Sequence, residues 1–258
     1  IGYNTLDVAD ACLLSGEPSI RKLGLDILQE IGAQAVPILT RYLGDPDLGP
    51  RCVTLLEAQQ FRPRSNEERI AMLLAAGEYQ QVARMGKIGL PYLLEAARNP
   101  AHPERESVLL ALGKSGVLEV VSTLLWGMAQ PQLPIRESAF TAIETLGDRV
   151  QPSLIRISQS GSLMEATMAA SALLRLEYEP KDDDERLWLI AARRDWEEID
   201  ESSDSVRAML RSEIMAVDDN RRAIATASLA AYREYLIIQR QRLPESVNAE
   251  VIEALSHP

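Results

Sequence analysis

One short frame recurs along this chain, and it leaves few folds open. In Leu133–Gly147, LPIRESAFTAIETLG, the residues Ile135, Ala139, Ala142, Ile143 and Leu146 fall at helical spacing and form an apolar stripe. The small alanines on that stripe let a neighbouring helix come close. Pro134 stands where a first-turn proline is tolerated, and Gly147 stands where a helix stops. A helix this short is marginal in isolation, so the frame requires neighbours to pack on.

The frame returns at the anchors Arg21, Arg51, Arg105, Arg136, Ala166 and Arg222. Three residues past each anchor stand Gly24, Thr54, Val108, Ala139, Ala169 and Ala225. Seven past stand Leu28, Ala58, Leu112, Ile143, Leu173 and Leu229. Fourteen residues before the later anchors stand Pro37, Pro91, Ser122, Pro152 and Ala208, and two further on there is always a leucine: Leu39, Leu93, Leu124, Leu154 and Leu210. Each unit therefore reads as a first helix, a turn and a second helix. Self-similarity at a fixed period marks a repeat array.

The anchors are spaced by 30, 54, 31, 30 and 56 residues. The two long intervals hold an extra roughly 24 residues, enough for one more helical hairpin by the helix rise. The two insertions resemble each other at a constant offset of 117: Arg69 matches Arg186, Leu73 matches Ile190, Glu78 matches Asp195, Tyr79 matches Trp196 and Val82 matches Ile199. This reads as a higher-order repeat of short units and one long unit.

The segments IRESAFTAIETLG, ERESVLLALGKSG and AVPILTRYLGDPD resemble HEAT repeats of the short, phycobilisome-lyase type. The resemblance covers the chain from about Asp7 to Tyr232. It implies an all-α fold, a right-handed α-solenoid of HEAT-like hairpins forming a single domain over residues 1–258, with two inserted helix pairs near Asn66–Met85 and Asp183–Ser202. About 15 to 17 helices are expected, with no strands. Arg221–Arg240 reads as a long final helix, with Val247–Leu255 folding back on it.

The resemblance is poor for function. The family spans chromophore lyases, metal-cluster assembly partners, a di-iron hydroxylase, DNA glycosylases and scaffolds. The hydroxylase branch uses repeated His-Glu pairs, whereas His102 and His257 are the only histidines here. The sequence has no Gly-rich phosphate loop, nucleophile elbow or zinc spacing. For the glycosylase branch, Trp188 and Trp196 lie near Asp195 and Asp200, but Trp196 repeats Tyr79 and reads as a packing residue. A lyase-like or metal-cluster-assembly role is the alternative, although no local motif marks a chromophore site.

The formal net charge of −11 repels phosphate backbones, so no nucleic-acid partner is expected. Residues 177–222 alone carry 15 acids against 8 bases. No apolar run reaches the length of a membrane span, and no secretory segment is visible. Cys12 and Cys52 make no metal pattern and suit a reducing, cytoplasmic compartment. The chain opens on Ile1 rather than Met, which leaves its natural start open.

The expectation is therefore a scaffold or adaptor that binds another protein, without catalysis, metal or cofactor. In a solenoid the second helices line the concave surface. The residues one, five and eight past each anchor should face it. The expected binding set is Lys22, Asp26, Leu56, Gln59, Leu110, Glu137, Thr141, Glu144, Ser171 and Leu174, with Gln29, Cys52, Glu106 and Thr167 in the same column. Leu56, Leu110 and Leu174 carry the argument, because exposed apolar residues at a constant place suggest a partner surface. The acidic stretch Glu177–Arg222 is the competing seat, for a basic partner.

Overall fold

A computed structural model describes residues 4–198, 203–216 and 218–242. Those residues contain fifteen α-helices and five short 3-10 helices, and no strand occurs among them. No helix among the described residues is long and apolar enough to cross a membrane. The chain divides into two compact units, residues 1–117 and 118–258.

The first unit holds α1 (Thr5–Leu13), α2 (Pro18–Ile31), α3 (Val36–Arg41), α4 (Gly49–Ala58), α5 (Asn66–Ala75), α6 (Tyr79–Arg84), α7 (Leu90–Arg98) and α8 (Arg105–Lys114). Successive helices pack as hairpins around a core that includes Leu25, Leu28, Leu39 and Leu56, all 2 % exposed or less. Each such leucine contributes roughly 1.5–3 kcal/mol by leaving water. Helices α5 and α6 fall within Asn66–Met85, where the sequence predicts a helical hairpin.

The second unit holds α9 (Val121–Met128), α10 (Leu133–Leu146), α11 (Gln151–Ser160), α12 (Leu163–Arg175), α13 (Asp183–Arg193), α14 (Ser203–Ile214) and α15 (Asp219–Arg242). Its insertion is α13 followed by a 3-10 turn at Trp196–Glu198; residues 199–202 and the expected returning segment Val247–Leu255 lie outside the described residues. α13 is tied on several sides. The Trp188 indole N–H donates to the Ser158 carbonyl at 2.9 Å, the Thr167 hydroxyl to Ala192 at 2.9 Å, and the Ser228 hydroxyl to Ala191 at 2.8 Å. Thr167 gives a donor to the Ala192 carbonyl, which the end of the helix leaves without one, and Ser228 adds a second donor to the Ala191 carbonyl, which also accepts the Arg194 N–H.

The anchor arginines have a physical role. Arg105 donates to the Ala97 carbonyl at 3.2 Å, Arg136 to Gln130 and Pro131 at 3.2 and 2.9 Å, and Arg222 to Ala216 at 2.9 Å. Arg105 reaches the last turn of the first helix of its hairpin, where carbonyls need donors and the helix dipole favours a cation, and Arg136 and Arg222 reach carbonyls of the turn just past theirs. Arg21 differs: it binds Asp45 at 2.6 Å and Asp47 at 3.1 Å, pinning the turn after α3 to α2.

Helix α4 corrects the sequence frame. Its buried residues are Gly49, Cys52, Val53 and Leu56, while Arg51, Thr54 and Ala58 are exposed. The anchor of α4 is thus Gly49, two residues before Arg51, and Leu56 takes the place seven past it. Close packing explains this: a Cβ on Gly49 would lie 2.6 Å from the Leu43 carbonyl oxygen and 3.3 Å from Ala75 Cβ. Gly49 lies 117 residues before Ala166, the buried anchor of α12, so the offset that relates the two insertions also relates these helices.

Candidate binding groove

The frame shift decides which of the expected residues reach solvent. Leu56 and Cys52 are fully buried in the first core and are not surface residues. Burial pushes the Cys52 thiol up to about 11, so it is inert as a nucleophile at neutral pH. Gln59 and Leu110 are half-buried, and Lys22 and Asp26 are exposed on α2.

In the second unit Glu137, Thr141 and Glu144 are exposed along α10. Glu137 accepts from Arg175 at 2.9 Å, which joins α10 to α12 and holds the Glu137 carboxyl below its usual range. Arg175 also lies 3.6 Å from the centre of the Phe140 ring. Leu174 is 48 % exposed on α12, and Ser171 is half-buried with its hydroxyl donating to Thr167. Leu174 thus stays at the surface beside an ion pair, whereas Leu56 does not.

The face that α4 does present is Pro50, Thr54 and Glu57, the corrected places one, five and eight past its anchor. With Val53 they form one wall of a groove of about 770 Å³. Tyr92, Glu95 and Ala96 of α7 also line it, together with Asn99 just past its end, the turn Leu43–Pro46, the end of α5 and the loop Ala101–Glu104. A volume of this size falls within the usual range for ligand pockets.

Local hydrogen bonds set the floor of the groove. The Asn99 side chain accepts from the Ala101 N–H at 3.0 Å, and His102 Nδ1 accepts from the Glu104 N–H at 3.2 Å. The His102 ring meets Tyr79 edge-on with centroids 5.7 Å apart. Burial and the nearby Glu104 carboxylate push the Tyr79 hydroxyl up to about 12, and that hydroxyl bonds to Glu104. Burial lowers the His102 pKa, with the Glu104 charge opposing and the Arg105 charge reinforcing the shift.

Sequence reading missed Thr54, Glu57, Tyr92, Glu95 and His102. The offset of 117 was the available signal for the first two, because it sets Leu56 against the core residue Leu173. Nothing in the repeat pattern marks the others, which stand on a first helix and a loop.

Trp196, matched to Tyr79, is likewise buried and packs 4.9 Å from Tyr232 between ring centres. Asp200 and His257 lie outside the described residues. Among the described residues, no three His, Cys, Asp or Glu side chains are grouped so as to hold a metal ion. No family model matches the chain, and no curated protein matches it.

Proposed function

We propose that the protein is a non-catalytic scaffold or adaptor of HEAT-like repeats, built as a right-handed α-solenoid, that binds another protein through a groove lined by the second helix α4, the first helix α7 and the loop that follows it. The ordered succession of hairpins supports the repeat reading, as do the arginines that lock first helix to second. The groove on α4 and α7 is the observation that carries the binding reading: it is open, of pocket size, and lined by apolar, aromatic and carboxylate groups. A cytoplasmic setting goes with two free cysteines, one of them in the core.

A photo-crosslinking residue placed at Tyr92, with the same residue at exposed Arg149 as control, tests this in native extract. The expected result is a discrete protein adduct from position 92 and none from 149. Adducts from neither position, or the same adducts from both, would contradict a binding role for the groove.

A further inference from the structure

We infer that the groove of the first unit receives a segment of the partner protein bearing arginine or lysine side chains. This rests on the scaffold reading and adds the chemistry of the occupant. The lining carries Asp45, Glu57, Glu95 and Glu104, and among the described residues it includes no Lys or Arg; Arg98, three residues past Glu95, is not part of it. Asp45 is already held by Arg21, and Glu104 by Tyr79. Glu57 and Glu95 stand exposed on two different helices, α4 and α7.

The rest of the lining suits the long basic side chains. Their methylene stems can lie along Val53 and the prolines while the cationic head reaches a carboxylate. Tyr92 adds a ring face that attracts a cation. A metal ion fits less well, because the carboxylates are spread along the groove and no three ligating groups converge among the described residues. A phosphate-rich or acidic partner would meet like charge.

The fold itself does not require these carboxylates. At the offset of 117, Glu57 corresponds to Leu174, Glu95 to Ser212 and Glu104 to Arg221. The second unit forms the corresponding helices with none of the three acids. The acidic lining is therefore a property of the first unit rather than of the repeat.

The test is fluorescence anisotropy with a labelled twelve-residue peptide of alternating Arg and Ala, and a counterpart with Glu in place of Arg. The variants are E57Q/E95Q and, as a control losing the same charge at exposed sites away from the groove, E30Q/D148N, each checked for fold by circular dichroism. The basic peptide should bind, with its Kd raised about tenfold in E57Q/E95Q and less than about twofold in the control. Equal effects of the two double variants, or equal binding of the acidic peptide, would overturn the inference. An adduct at position 92 that forms as well in E57Q/E95Q would keep the scaffold reading and overturn the basic occupant. Absence of any adduct would remove the scaffold reading itself.

Discussion

Gln60 and Glu177 close the same turn 117 residues apart, both left-handed, with φ of 54° and 53°. The next N–H, of Phe61 and of Tyr178, donates to the Leu56 and Leu173 carbonyls at 2.9 and 3.0 Å. Gln60 and Glu177 themselves donate to Glu57 and Leu174 at 2.9 and 3.0 Å. This paired bonding is the Schellman ending of a helix, which usually takes glycine at the left-handed place. A side chain there costs roughly 1–2 kcal/mol, partly offset by the greater chain entropy glycine loses on folding. Gln60→Gly and Glu177→Gly should each stabilise the protein by about 0.5–1 kcal/mol in urea denaturation; destabilisation by either would show that these turns are not strained.

Leu56 and Leu174 separate core from surface. Leu56 is fully buried and Leu174 is 48 % exposed. Leu56→Ala should cost about 2–5 kcal/mol. Leu174→Ser should stay within about 0.5 kcal/mol. Thermal or urea unfolding of both variants checks this, and similar losses from the two would contradict the corrected frame of α4.

Much of the fold was legible in the sequence, for a definite reason. Short helices that must pack on both sides carry their apolar stripe at fixed places, so the hairpins and the insertion at Asn66 could be located. Helix α4 misled because Arg51 imitates an anchor, while the true anchor, Gly49, has no side chain to notice. Its identity depends on how closely the Leu43 carbonyl and Ala75 approach, which is a tertiary fact. The groove was illegible for the same reason: Tyr92 and Glu95 come from a first helix, and His102 from a loop, whose positions only packing brings beside Glu57.

His102 should make stability depend on pH. Its folded pKa lies below the unfolded value of 6.5, chiefly through burial. Between the two values the unfolded chain binds more protons, so the stabilising contribution is complete above about pH 6.5 and is lost as pH falls through the folded pKa. Neutral His102 also accepts the Glu104 N–H, which the protonated ring cannot do. Urea midpoints at neutral and mildly acidic pH should fall less in His102→Asn than in the unaltered protein. An equal or larger fall in the variant would assign the acid sensitivity elsewhere.

The groove of the first unit is the proposed seat of the protein partner. Backbone hydrogen exchange, measured with and without the partner identified by crosslinking at Tyr92, tests it most directly. Protection should concentrate in α4 and α7, over residues 50–57 and 90–99. Protection confined to residues 177–222, with α4 and α7 unchanged, would contradict the account and assign the partner to the acidic stretch.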